Sequence, residues 1–288
     1  MNKQKKILIT GASGQLGQEF VSYLKQTTFQ VKALTREEAD ISHSLGLADL
    51  KDEILLFKPD FLINCAAYTS VDMAEEKGAM AESVNSDALA VIAVMAQELD
   101  FKILHFSTDY VFDGSGDEPW SEEDEPFPIN IYGLTKREGE VVLLESGLAL
   151  VLRVSGLYSE FGSNFPKTIN RLLGEKDELN IVDDQFSSPT WAKPLVEFVV
   201  TKLLCNADLF NGSLYHYSED GECSWYDVAA VINEKYNKRL NAVSSKEFLQ
   251  VAKRPAYSKL DNTLAKEKLG LEPNTWQENL KEFLKIIQ

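Results

Sequence analysis

The chain predicts an α/β protein built on a doubly wound parallel sheet, with a smaller C-terminal lobe. Three observations carry this. Short, wholly apolar runs alternate with longer amphipathic ones through the first half of the 288 residues, the pattern of strands buried on both faces between covering helices. A glycine-rich turn, GASGQLG, directly follows the first apolar run. After about residue 155 the alternation loosens, so residues 1–155 read as the first domain. Residues 156–288 read as mainly a second lobe, with room for part of it to return to the last strands of the sheet.

KILIT (Lys6–Thr10), QVKAL (Gln30–Leu34), FLIN (Phe61–Asn64), KILHFS (Lys102–Ser107) and LVLRV (Leu150–Val154) read as the strands. Gln15–Gln26, Leu47–Phe57, Ala79–Leu99 and Tyr132–Glu145 read as the helices between them. In the second half a helix near Phe165–Leu173 precedes the strand-like LNIVD (Leu179–Asp183). A helix near Ala192–Cys205 leads into LYHYS (Leu214–Ser218). Ser224, with Asp227 three residues on, reads as the N-cap of a helix reaching about Tyr236.

Composition excludes several classes. A formal net charge of −16 with no basic stripe argues against nucleic-acid binding. No apolar run reaches the ~18 residues of a membrane span; the longest candidate, Ala88–Leu99, carries Gln97 and Glu98 and reads as a buried helix. The basic N-terminus MNKQKKILIT has too short an apolar stretch for a signal peptide, which makes the cytoplasm the expected location. The three cysteines (Cys65, Cys205, Cys223) and three histidines (His43, His105, His216) are widely spaced. They form no disulfide framework or metal pattern and read as buried or bystander residues. Asp113–Pro128, DGSGDEPWSEEDEPFP, reads as a solvated loop, with a wall or lid over the site as the functional alternative.

In GASGQLG the first glycine, Gly11, allows the tight turn, Gly14 lets backbone approach a diphosphate, and Gly17 permits close helix–strand packing. The free N–H groups and positive dipole end of the following helix suit the same anion. This makes the segment, with Ser13, Gln15 and Leu16, a dinucleotide site on a Rossmann-type fold. At the end of the second strand an acidic residue would bond a ribose 2′-OH, and a basic one would accommodate a 2′-phosphate. Here ALTREE places Arg36 first, which favours NADPH, with NADH as the alternative.

Tyr132 and Lys136 stand in YGLTK, one turn apart on a helical face. Delivery of a hydride to a ketone leaves an alkoxide that needs a proton, and a phenol donates one readily only if its pKa is tuned. A lysine ammonium at ~4 Å in an effective dielectric near 20 contributes ~4 kcal/mol, enough to lower the phenol by up to roughly 3 pH units. Ser107, Thr108 and Asp109 end the fourth strand, where a hydroxyl can hold a carbonyl oxygen beside Tyr132; a strand-end turn cap is the plainer reading.

Together these motifs resemble the extended short-chain dehydrogenase/reductase superfamily and, within it, the dTDP-4-dehydrorhamnose reductases. The resemblance runs from GASGQLGQE through NCAAYTSVDMAE, STDYVFDG, NIYGLTKREGE and DQFSSPT to KRPAYSKLDN. It implies NAD(P)H-dependent reduction of the 4-keto group of dTDP-4-dehydro-β-L-rhamnose. Carried over, Thr108 positions the carbonyl, Tyr132 donates the proton, and Lys136 tunes the tyrosine and binds ribose. Asp40 and Ile41 border the adenine, and Ala67, Tyr68 and Thr69 line the cofactor's middle. Asp109 and Arg254 join Thr108 and Tyr132 on the substrate side, Arg254 near the diphosphate. Two positions depart from the pattern. Gly156 stands where some members carry a tryptophan against the sugar, and Lys193 stands where an acid would help Glu19 hold magnesium across a dimer. The latter argues against a magnesium-bridged dimer and leaves a monomer or a homodimer open. Asp109 is followed by Tyr110 rather than glutamate, which disfavours a 4,6-dehydratase. An epimerase or other reductase of the superfamily, and a non-catalytic dinucleotide-binding subunit, stand as alternatives.

Overall fold

The computed structural model describes residues 4–248 and 250–287; residues 1–3 of the basic N-terminal stretch lie outside it. The first half runs β1 (Lys6–Thr10), α1 (Gln15–Leu24), β2 (Gln30–Leu34), α2 (Ser44–Phe57), β3 (Phe61–Asn64), α3 (Val71–Glu76), α4 (Gly78–Glu82), α5 (Ala88–Leu99), β4 (Lys102–Thr108), α6 (Ile131–Glu145) and β5 (Ala149–Val154). The second half runs α7 (Phe165–Glu175), β6 (Glu178–Val182), β7 (Phe186–Ser187), α8 (Ala192–Phe198), β8 (Ser213–His216), β9 (Cys223–Ser224), α9 (Trp225–Asn233), β10 (Arg239–Val243), α10 (Thr263–Leu269) and α11 (Trp276–Ile286).

Six parallel strands form the main sheet in the order β2-β1-β3-β4-β5-β8. The order reverses between β1 and β3, so their carboxyl ends open a crevice at the usual ligand position. β8 pairs with β5 from Leu150↔Ser213 to Arg153↔His216, so a strand from the second half completes the sheet of the first. The chain therefore crosses back over the expected boundary near residue 155.

Successive strand residues point to opposite faces, and both faces are apolar. Ile7, Ile9, Ile63 and Leu152 pack with Phe20, Leu195 and Val199 from the α1 and α8 side. Leu8, Leu62, Ile103 and Val151 pack with Leu50, Ile54, Leu89 and Ile92 from α2 and α5. A third core, including Tyr158, Leu173, Ile181, Trp191, Val228 and Phe283, holds the smaller lobe together. There β10 lies parallel to β6, and β7 antiparallel to β9.

The helical stretch Gly78–Leu99 corrects the expectation about apolar runs. It is 22 residues long and holds an 18-residue window with a mean hydropathy of 1.3, long and apolar enough to cross a membrane by those two measures. Ala88, Leu89, Ile92, Ala93 and Ala96 are nevertheless buried within the core cluster on the α2 side of the sheet. A π-type turn at Ser83–Asp87 interrupts it and turns Asn85 inward.

The acidic segment 113–128 is strapped down at its centre. Trp120 stacks on Phe112 at 4.6 Å and donates from Nε1 to the Tyr257 carbonyl at 3.0 Å. Glu122 accepts from the His216 backbone N–H at 2.7 Å. His216 is buried, and burial next to Arg153 lowers its pKa to about 3, so it stays neutral.

Candidate active site

Four cavities run end to end across the carboxyl edge of the sheet. The first, about 200 Å³, is bordered by Ser13, Arg36, Asp40, Ile41 and Tyr68. It shares Gly14, Cys65, Ala66 and Ala67 with a second, about 320 Å³, that reaches Gln15, Leu16, Thr69, Thr108, Tyr132 and Lys136. Thr69, Thr108, Tyr132 and Gly156 also face a third, about 170 Å³. Tyr110, Gln185 and Trp225 join that one to a fourth of about 660 Å³ beneath α7 and β6.

Backbone geometry makes the first half of this trough. Gly11 adopts φ +67, and a Cβ there would come within 2.5 Å of the Ala66 backbone nitrogen, so neither the turn nor the approach of β3 admits a side chain. Gly17 lies against the Gly11 carbonyl. Gly14 begins α1 with no side-chain cap, leaving first-turn N–H groups for an anion. Ser107 Oγ, buried on the trough wall, has no hydrogen-bond partner among the described residues. A dinucleotide fits this lining: free amides at the helix start, a spare hydroxyl, and small residues along the floor. At the far end the exposed Arg36 bonds Asp40 through Nε at 2.8 Å. Burial opposes it, yet the bonds from Ser42 and Arg36 hold the Asp40 carboxyl at about 2.

The π turn supports the middle of the trough. Asn85 Oδ1 accepts from the Tyr68 backbone N–H at 2.9 Å, and its Nδ2 donates to the Tyr68 carbonyl and to Thr135 Oγ1, each at 3.2 Å. Asn85 thereby ties the loop carrying Ala67, Tyr68 and Thr69 to α6. A polar residue inside an apolar helix was the available signal, and the sequence reading passed over it.

Thr108 and Tyr132 meet between the second and third cavities. Asp109 is buried, and its carboxylate accepts from Thr108 at 3.0 Å, Ser155 at 2.7 Å and Ser258 at 2.5 Å. It therefore orients the Thr108 hydroxyl, although it was expected on the substrate side, whose third cavity it also borders. Asn130 caps α6 by accepting from Gly133 at 2.7 Å and donates to the Lys253 carbonyl at 2.8 Å, which sets Tyr132 at the helix start.

The tuning of Tyr132 differs from expectation. Burial pushes the phenol up to about 12, while the Thr108 hydroxyl pulls it down and Asp109 pushes it up. Lys136 is not among the groups that shift it. Its Nζ instead lies 2.6 Å from the Phe106 carbonyl and 3.0 Å from His105 Nε2, and burial lowers its pKa to about 8. Spacing at i and i+4 specifies a shared helix face; it says nothing of the desolvation that controls both groups. His105, read as a buried or bystander residue, is buried and touches a catalytic candidate.

On the other side, Arg254 grips Asp72 through two bonds of 3.1 and 2.8 Å and faces the largest cavity near Tyr110. Gly156 has φ +52, and a Cβ there would stand 3.7 Å from the Trp225 ring. The Trp225 indole, tilted against Phe165 at 4.6 Å, borders both the third and fourth cavities. An aromatic face is therefore present beside Gly156, supplied from α9. Glu19 is buried and accepts from Ser159 at 2.9 Å, while Lys193 lies 4.0 Å from Glu160. Among the described residues no group of three or more histidine, cysteine or acidic side chains is placed to hold a metal ion.

The model of the RmlD substrate binding domain family matches residues 5–288. Spore coat polysaccharide biosynthesis protein SpsK of Bacillus subtilis is 37% identical, over 97% of this chain and 96% of that protein. A dTDP-4-dehydrorhamnose reductase of Burkholderia thailandensis is 36% identical, over 94% of this chain and 95% of that one. The crystal structure of a dTDP-4-dehydrorhamnose reductase from Bacillus anthracis in complex with NADP superimposes with a TM-score of 0.92. It is 33% identical, covering 99% of this chain and all of that one.

Proposed function

Because the chain belongs to the RmlD substrate binding domain family, we propose that it is a dTDP-4-dehydrorhamnose reductase, reducing the 4-keto group of dTDP-4-dehydro-β-L-rhamnose to give dTDP-β-L-rhamnose in the cytoplasm. The observation that carries this is the unbroken cleft in which Thr108 and Tyr132 stand between a trough suited to a dinucleotide and a larger cavity.

The reduced nicotinamide of NADPH supplies the hydride for the 4-keto carbon when bound. Gly11, Ser13, Gly14, Gln15, Leu16 and Gly17 hold the diphosphate, and Arg36 meets the 2′-phosphate. Asp40 and Ile41 border the adenine, Ala67, Tyr68 and Thr69 line the middle, and Lys136 binds ribose. When substrate is bound, the Thr108 hydroxyl turns its proton from Asp109 to the carbonyl oxygen and holds that oxygen beside the phenol. Tyr132 donates its proton to that oxygen as the negative charge develops. A phenol pushed up by burial retains its proton until an alkoxide is there to take it. Trp225 gives the sugar ring a flat apolar wall beside Gly156. Arg254, bordering the 660 Å³ cavity, faces the nucleotide diphosphate. The second lobe, returning β8 to the sheet, is the substrate-binding half.

NADPH consumption measured with dTDP-4-dehydrorhamnose, and with UDP- and GDP-linked 4-ketosugars, tests the proposal. Turnover is expected with the dTDP sugar and at least tenfold less kcat/KM with the others, a difference of ~1.4 kcal/mol or more. Cofactor binding without turnover of any of them would replace the reductase with a dinucleotide-binding role.

A further inference from the structure

Behind the catalytic lysine lies a buried polar chain that the proposed reaction does not use. Lys136 Nζ is 3.0 Å from His105 Nε2. On the far side of the imidazole, Nδ1 is 3.0 Å from Asn64 Nδ2. Asn64 Oδ1 in turn accepts from Thr10 Oγ1 at 2.6 Å. Thr10, Asn64, His105 and Lys136 are each at most 2% exposed, with Asn64 and Lys136 at the wall of the second cavity.

The orientation of the Asn64 amide decides which ring nitrogen carries the proton. Its Nδ2 also lies 3.3 Å from the Ala66 carbonyl. A carbonyl oxygen is met by an N–H and repels another oxygen, so the amide cannot turn over without losing that bond. Nδ2 therefore donates to His105 Nδ1, Nδ1 acts as the acceptor, and the proton of the neutral ring sits on Nε2. That N–H points at the nitrogen of Lys136. A neutral amine offers it a lone pair; an ammonium has none. The imidazole itself stays uncharged, because burial lowers its pKa far below the ordinary value.

We propose that His105 is a positioning residue for Lys136: held by Asn64 with its proton on Nε2, it bonds the lone pair of the lysine amine, so that Lys136 gains and loses a proton within the working pH range instead of standing as a fixed positive charge. The other groups around the lysine do not produce this. The Glu140 carboxylate, one turn along α6, favours the ammonium but is bonded by Arg153 at 2.8 and 2.7 Å and by Arg137 at 3.1 Å. The Cys65 thiol at the end of β3 keeps its proton, because burial raises its pKa. Tyr132, on the same helix face, is a neutral phenol held up by burial. Burial lowers Lys136 to about 8, and the His105 N–H, 3.0 Å from Nζ, is placed to act in the same direction.

Two measurements on the cofactor-free protein test this independently of the substrate assignment. Imidazole 15N shifts at pH 7 should show His105 protonated on Nε2 and bare on Nδ1; the reverse tautomer overturns the proposal. The second is the titration of Lys136 followed by its 13Cε resonance, identified by its loss in Lys136→Met. His105→Gln replaces the ring N–H with an amide that can turn its oxygen to the ammonium, so the midpoint should rise by about one pH unit or more. An unchanged or lower midpoint would mean that the ring already accepts from an ammonium, and would overturn the proposal. If His105→Gln does not fold, the tautomer measurement on the unmodified protein decides alone.

Discussion

The two ends of the cleft are built in different ways. The proposed dinucleotide end is made mainly of backbone: a glycine turn, a bare helix start and a run of small residues between β3 and α3. The proposed sugar end is lined by side chains delivered by distant segments: Trp225 from α9, Arg254 from the stretch before α10, and Tyr110 from the turn after β4. The backbone part of a site cannot be adjusted by substitution, only blocked, which leaves Arg36 as the adjustable side chain at that end. A side-chain site can be retuned residue by residue, which suits the half that must read one sugar nucleotide among several.

That contrast predicts how each region breaks. The largest effect falls at the junction: Tyr132→Phe should lower kcat by roughly 10²–10⁴-fold while cofactor affinity holds, because only the proton donor is removed. Steady-state kinetics beside NADPH fluorescence titration would show it, and near-normal turnover would remove Tyr132 from the mechanism. Next comes the backbone end. Gly11→Ala should weaken NADPH by about 100-fold, or ~2.8 kcal/mol, through strain at φ +67 and the 2.5 Å approach to Ala66. Arg36→Ala should weaken NADPH about tenfold and NADH scarcely at all, a difference read from the same titrations. Equal losses would remove the 2′-phosphate contact. Smallest and most selective is the side-chain end: Trp225→Ala should raise KM for the sugar nucleotide roughly tenfold or less with cofactor affinity unchanged. A matching loss of cofactor affinity would show that the two ends are not separable.

The same contrast explains how much was legible in the sequence. The five first strands and the glycine turn announce themselves because an apolar run and a turn are local patterns. Tyr132, Lys136 and Thr108 were identified from spacing and position, and the fold brings Tyr132 and Thr108 together at one wall. What escaped depends on distance or on solvent. His105 and Asn64 lie 41 residues apart, and only the parallel pairing of β3 with β4 sets them side by side. Trp225 reads as the first residue of a capped helix, and nothing local says that its ring stands beside Gly156. The direction of the Tyr132 shift was missed for a related reason: a Tyr–Lys spacing suggests an ion next to a phenol, whereas the buried position pushes the phenol up and the lysine down. The strand β8, separated from β5 by 58 residues of the second lobe counted from residue 155 to residue 212, could not be assigned to the sheet by periodicity alone.

The reductase assignment is tested most directly by the fate of the hydride. The protein is incubated for a single turnover with dTDP-4-dehydrorhamnose and NADPH deuterated at the transferring C4 position of the nicotinamide. The account predicts dTDP-rhamnose carrying deuterium at C4 of the sugar, and no such product from Tyr132→Phe on the same timescale. Oxidation of the cofactor without deuterium at that carbon, or an unchanged sugar beside bound NADPH, would contradict it.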